Sequence, residues 1–381
     1  MVSRNAPARS IEVPDVLIRI EGRAGRITLN RPRALNTLTG AMVAAMHTAL
    51  DAWAEDTRVA LVLIDAAGTR AFCAGGDIAE VHALVAAGDL EAARVHVARE
   101  YRLDLKIAGY AKPVVALMDG RVMGGGLGIS AHARHPVATD RTQAALPECA
   151  LGWVPDSGAS ALLAAMPETV ATYLALSGAQ LSAGDAVGLG VARHIVPAAA
   201  RDTLTQALCD SGRADEIADF ECPPPPGPLA GRRAEIDAVF SASTVAECLD
   251  RLDAMAREAG DDAGNGAARE RAAWASGTAR AIRRHAPLAL TLALALLRQG
   301  RCGPAPGDLR AAIAREYGIV CQLLETPDFK EGIRALLIDR DRAPRWRQTH
   351  DHRFEEAEID AWFTRGAGFS LSAAFSLADE T

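Results

Sequence analysis

The chain has 381 residues, of which 49% are hydrophobic and 23% charged, with a formal net charge of -7. That balance excludes general disorder and gives no basic footprint for nucleic acid. The longest apolar stretch, Leu288 to Leu297, is interrupted by Thr291 and too short to cross a bilayer, so a soluble protein is expected.

Met1 to Ser10 reads as a loose tail without the apolar core of a signal peptide. Val16–Ile20 and Arg26–Leu29 are short β-branched runs around Gly22 and Gly25, which predict a hairpin. Met42, Met46, Leu50 and Trp53 recur at helical spacing behind Thr39, a suitable N-cap. Val59 to Ile64 is continuously apolar, as in a strand buried on both faces. A helix over Leu90 to Ala108 leads to a second apolar strand, Val114 to Met118, and a further helix follows Gly124-Gly125-Gly126. The alternation is that of an α/β protein.

The pattern changes after Val196. Pro223 to Pro226 can join neither a helix nor a sheet ladder. Helices are expected over Arg233–Phe240, Val245–Ala259, Arg271–Arg284, Leu288–Gln299 and Leu309–Leu324, with a loop at Gly260–Gly266. The organisation is therefore a core over 1–200, a Pro-rich linker region over 201–232 and a mainly helical region over 233–381. The seven cysteines form no C-x-x-C pair, so a reducing compartment fits. His132 with His135, and His350 with His352, lack the spacing of a zinc helix, and no metal is expected. Only Lys106, Lys112 and Lys330 are lysine among 41 basic residues, which with the alanine richness suggests coding bias.

Three features carry possible chemistry. In Ala71-Phe72-Cys73-Ala74-Gly75-Gly76-Asp77-Ile78, two glycines precede a helix start, where free N–H groups can meet an anion or a carbonyl oxygen; a tight turn with a cap fits equally. Met123-Gly124-Gly125-Gly126-Leu127-Gly128 follows an apolar strand and is neither a G-x-G-x-x-G fingerprint nor a P-loop. One amide from each motif would make a two-donor oxyanion hole. The third, Leu146-Pro147-Glu148 through Trp153-Val154-Pro155-Asp156, places two carboxyls among apolar residues, where raised pKa values suit general acid–base work. Alternatively, Asp156 caps a helix from Ser157 and Glu148 is a solvated charge.

These features, in this order, resemble the crotonase (enoyl-CoA hydratase/isomerase) superfamily, as does Asn30-Arg31-Pro32-Arg33-Ala34-Leu35-Asn36. Glu316-Tyr317, Asp328 to Asp339 and Ala343-Pro344-Arg345-Trp346 resemble its 3-hydroxyisobutyryl-CoA hydrolase branch. The resemblance implies a ββα spiral core followed by a helical C-terminal region. It also implies an oxyanion hole from the amides of Gly76 and Gly125, Glu148 as base or nucleophile, and Asp156 orienting the substrate hydroxyl or water. Glu100, Ala34, Gly75 and Asp77 would line the substrate, with an exposed helix charge as the other reading of Glu100, and Arg31 and Arg33 are candidates for the coenzyme A phosphates.

Where the superfamily's hydratases carry a first glutamate, this chain has Gly128, which moves no proton; thioester hydrolysis survives that loss. Cys149, Trp153 and Ser157-Gly158-Ala159-Ser160 also depart from the branch pattern, and Trp153 would narrow the acyl pocket. The expectation is a short-chain 3-hydroxyacyl-CoA thioesterase with no cofactor beyond the coenzyme A of its substrate, in a bacterial cytoplasm, forming homo-oligomers. A hydratase or isomerase, or a non-catalytic acyl-CoA binder, are the alternatives.

Overall fold

The computed structural model describes residues 14–258, 266–302, 307–371 and 373–374. The N-terminal tail and nearly all of the expected Gly260–Gly266 loop lie outside the described residues. β1 (Val16–Glu21) and β2 (Ala24–Leu29) form the expected hairpin, pairing antiparallel from Val16 opposite Leu29 to Glu21 opposite Ala24. α1 (Gly40–Ala54) starts at Thr39, whose side chain accepts from the Met42 amide.

Parallel crossovers then extend the sheet. β3 (Leu61–Ala66), β5 (Val114–Met118), β7 (His135–Thr139) and β9 (His194–Val196) complete six strands in the order β1-β2-β3-β5-β7-β9. β4 (Ala71–Cys73), β6 (Arg121–Met123) and β8 (Gln143–Ala145) form a second, three-stranded parallel sheet. The continuous apolar runs are explained by covered faces. Val62, Ile64, Val114, Ala116 and Met118 point into one hydrophobic cluster, while Leu61, Leu63, Val115 and Leu117 point into another. The second is closed by Leu204, Leu208 and Cys209 of the helix Arg201–Ser211.

The first cluster holds the larger core and the helices beside the site: α2 (Ile78–Ala86), α3 (Leu90–Ala108), α4 (Gly125–Ala131), α5 (Ala159–Ala164) and α6 (Glu168–Ser177). Next come α7 (Ala183–Gly188) and α8, the Arg201–Ser211 helix. Past the prolines, α9 (Arg233–Phe240), α10 (Val245–Arg257), α11 (Gly266–Ile282), α12 (Pro287–Cys302) and α13 (Leu309–Leu323) add Phe240, Leu252, Ile282, Leu290 and Ile313 to that same cluster. α11 begins five residues before the expected start, because the alanine-rich Gly266–Glu270 segment favours helix. α14 (Pro327–Ile333), a π-helical turn (Arg334–Ile338) and α15 (Glu356–Gly366) follow. Among the described residues no helix is long and apolar enough to cross a membrane.

Candidate active site

Both glycine motifs leave the small sheet at the same end. Gly75 has φ 105 and Gly124 φ 50, conformations that side chains disfavour. The first loop is held by Leu38, whose amide donates to the Gly75 carbonyl at 2.9 Å and whose carbonyl accepts from Asp77 at 2.7 Å. The Asn30–Asn36 segment braces it further. Asn36 is buried and donates to the carbonyls of Ala67 and Ala71, and the Ala74 amide donates to Leu35.

The two amides converge. A Cβ placed on Gly125 would stand 3.3 Å from the Gly76 nitrogen, and one on Gly75 3.5 Å from the Gly125 nitrogen. Gly125 is the first residue of α4, so its N–H has no intrahelical acceptor. Among the described residues neither amide is spent on another partner. Two unspent donors sharing a few ångströms of space can hold one oxygen atom that gains negative charge.

Carboxyls surround this hole. Glu148 opens a 3-10 turn after β8 and is 6% exposed. Its Oε1 lies 2.9 Å from where a Gly124 Cβ would be, and neither of its oxygens has a protein donor among the described residues. Burial, then the charge of Asp156, holds Glu148 well above the usual carboxylate range. Asp156 Oδ2 accepts from Tyr101 Oη at 2.7 Å and from Trp153 Nε1 at 2.6 Å. Burial pushes Asp156 up to about 6 while those two donors pull the other way. Glu100, on α3, lies against both glycines of the hole: its Oε2 is 2.5 Å from the place of a Gly76 Cβ. Burial first, and Asp156 second, push it up to about 8.

The sequence-predicted residues meet in one cleft of about 640 Å³, lined by Ala34, Gly75, Gly76, Asp77, Glu100, Gly125, Glu148 and Asp156 together with Tyr101 and Trp153. Asp156 does not cap α5, because Gly158 occupies that position. Arg31 does not face the cleft as a free cation. Its guanidinium is bonded to Asp77 at 2.9 Å and to the Thr37 carbonyl at 2.8 Å. Arg33, Arg70 and Arg340 line the cleft instead. Cys149 is fully buried and donates to the Ala175 carbonyl, and burial pushes its thiol well up, so it is no nucleophile. His132 donates to the Ser157 carbonyl, His135 stacks on His194, and His350 bonds the Arg283 carbonyl. No group of three or more metal-ligating side chains occurs among the described residues.

Several site residues were not found from sequence. Asp104 is fully buried, neither of its oxygens has a donor within 3.5 Å among the described residues, and its carboxyl lies 2.6–2.7 Å from where a Gly128 Cβ would stand. The space left by the missing side chain at 128 is thus filled from α3. The signal available was its i, i+4 relation to Glu100. Glu316 of α13 accepts from the amides of Gly158 and Ser160 at 2.7 and 2.8 Å, pinning the segment that follows Asp156. Gly152 packs on the α14 backbone, with a Cβ there falling 2.5 Å from the Asp328 carbonyl oxygen. The C-terminal helices therefore support the loop that carries Glu148 and Asp156.

The enoyl-CoA hydratase/isomerase family model matches residues 24–363. The 3-hydroxyisobutyryl-CoA hydrolase 1 of Arabidopsis thaliana is 34% identical over 361 residues, covering 92% of this chain and 91% of the relative. The mitochondrial 3-hydroxyisobutyryl-CoA hydrolase of Gallus gallus is 33% identical over 92% of this chain and 88% of its own. Among solved structures, an enoyl-CoA hydratase from Rhodobacter sphaeroides 2.4.1 aligns with a TM-score of 0.81 and 41% identity, covering 92% of this chain and 97% of that one. A carnitinyl-CoA dehydratase from Mycobacterium thermoresistibile gives 0.80 and 37%, covering 92% and 96%.

Proposed function

The chain belongs to the enoyl-CoA hydratase/isomerase (crotonase) family, in its 3-hydroxyisobutyryl-CoA hydrolase branch, and from that premise we propose that it hydrolyses a short-chain 3-hydroxyacyl-CoA thioester to the free acid and coenzyme A. One observation carries the reading. Two unspent amides converge beside a buried carboxyl whose oxygens have no protein donor among the described residues. The thioester oxygen sits between the Gly76 and Gly125 N–H groups, which stabilise it as it becomes an oxyanion. Glu148 either takes a proton from the water that attacks the carbonyl carbon or attacks that carbon itself. In both cases the tetrahedral oxyanion collapses, the C–S bond breaks and coenzyme A leaves as the thiolate, which is then protonated. In the second case water opens the resulting anhydride. A carboxyl raised by burial is the stronger base once ionised, and is ionised less often. Asp156, anchored through Oδ2 by Tyr101 and Trp153, orients the substrate hydroxyl or the water.

Arg33, Arg70 and Arg340 are the cations we assign to the coenzyme A phosphates. Hydrolysis of a thioester changes no oxidation state, so coenzyme A enters only as part of the substrate. For this chain we infer a cytoplasmic site and a homo-oligomer; the chicken relative is mitochondrial by name. The solved neighbours, named as an enoyl-CoA hydratase and a carnitinyl-CoA dehydratase, favour addition or loss of water as a second reading. Against it, residue 128 has no side chain, and Asp104, which fills its place, does not line the cleft.

The test is free-thiol release from 3-hydroxyisobutyryl-CoA and 3-hydroxypropionyl-CoA, with crotonyl-CoA hydration measured alongside. Thiol release without hydration is the expected result. Hydration without thiol release overturns it.

A further inference from the structure

Glu100 differs from the other carboxyls of the cleft in what it touches. Glu148 and Asp156 belong to the segment after β8, whereas Glu100 comes from α3 and presses its carboxyl onto the backbone of the hole itself. Its Oε2 lies 2.5 Å from the place of a Gly76 Cβ, and its Oε1 overlaps the place of a Gly125 Cβ. Glycine is needed at both positions for this close approach.

The groups around Glu100 are mostly acidic or neutral. Asp104 lies one turn along the same helix, with Tyr101 adjacent. Asp156 and Glu148 line the cleft with it, and the Cys73 thiol stands behind, at the end of β4. Glu316 of α13 adds a further buried acid beyond Asp156. His132, which follows α4 as its C-cap, is held neutral by burial, which lowers it to about 4. Asp77, Arg33, Arg70 and Arg340 also line the cleft. Among the described residues no side chain forms a hydrogen bond or ion pair with the Glu100 carboxyl.

An ionised carboxylate at the rim of the hole would repel the charge that the hole exists to stabilise. A neutral carboxyl has an O–H to donate. We propose that Glu100 works as a neutral acid and donates a third hydrogen bond to the carbonyl oxygen held by the amides of Gly76 and Gly125. This rests on the thioester reading above. No proton is transferred: the O–H stays on Glu100 while the tetrahedral oxygen forms and collapses. Burial and the Asp156 charge support the neutral state, pushing the group up to about 8. A carboxylic acid kept neutral by its surroundings is an effective oxyanion donor. Activity then fails on the alkaline side as Glu100 ionises.

The experiment compares wild type, Glu100→Gln and Glu100→Ala on 3-hydroxypropionyl-CoA across pH. Infrared difference spectra of wild type minus Glu100→Gln at pH 7 report the protonated-carboxyl stretch. Glu100→Ala is expected to lose about a hundred-fold in kcat, as for removal of one oxyanion donor. Glu100→Gln, which keeps a donor of similar reach, should exceed Glu100→Ala by at least about ten-fold and lack the falling alkaline limb of wild type. The protonated-carboxyl band should be present in wild type and missing in Glu100→Gln. A Gln variant as poor as the Ala variant overturns the proposal, as does an alkaline limb that persists in Glu100→Gln or a missing infrared band. The infrared result is independent of turnover. If wild type releases no thiol from any hydroxyacyl-CoA while the band is present, it is the thioester reading that has failed.

Discussion

Replacing Gly125 by alanine separates catalysis from stability. Gly125 opens α4 at negative φ, so its backbone accepts a side chain, and alanine is favoured over glycine in a helix by about 1 kcal/mol. The added Cβ would overlap Glu100 Oε1, come 3.2 Å from its Cδ and stand 3.3 Å from the Gly76 nitrogen. Glu100 is the movable end of a long side chain, so steric relief costs about 1–3 kcal/mol, partly offset by helix propensity. The methyl group, however, stands between the two amides. A carbonyl oxygen can then no longer reach both donors, and loss of one costs about 2.7–4 kcal/mol of transition-state stabilisation, roughly a hundred- to a thousand-fold in kcat. Thiol release gives kcat and KM, and thermal unfolding gives the stability change. The expected outcome is a kcat loss of that size with KM and Tm little altered. A kcat within about ten-fold of wild type at unchanged Tm would refute the assignment of these amides as an oxyanion hole.

Other outcomes follow from the same contacts. Glu148→Gln keeps shape and removes the base, so kcat should fall by about 10²–10⁴ with an unchanged circular dichroism spectrum; retained turnover would move the base elsewhere. Gly128→Ala drives a Cβ to 2.6–2.7 Å from the Asp104 carboxyl and should cost about 1–3 kcal/mol in chemical denaturation. Added Asp104→Ala should return part of that loss, and strict additivity of the two changes would show that the residues do not touch. Tyr101→Phe deletes a hydrogen bond that favours ionised Asp156, so the Asp156 carboxyl rises above about 6. The acidic limb of the rate profile should move to higher pH, and a limb that stays in place argues against Asp156 controlling it.

The strands buried on both faces were legible because their runs are apolar without alternation, and Thr39 because a cap acts over three residues. The glycine motifs were legible for a similar local reason, since backbone freedom is a property of the residue itself. By contrast, the pairing of Arg31, one of the two candidates for the phosphates, with Asp77, 46 residues away, was not legible. Nothing local distinguishes a free arginine from a paired one.

What the sequence determined alone is therefore local: the hairpin, the two strands buried on both faces, the longer helices, and the glycine-rich turns. Only the tertiary structure decided that Asp104 fills the space beside Gly128, that Tyr101 and Trp153 share one oxygen of Asp156, and that Glu316 from α13 pins the segment beyond it. Hydrophobic periodicity sets each element from residues a turn or a pleat apart. Polar pairing inside a core is settled by which elements the parallel crossovers bring together across tens or hundreds of residues, and a buried carboxyl's chemistry depends on those distant neighbours.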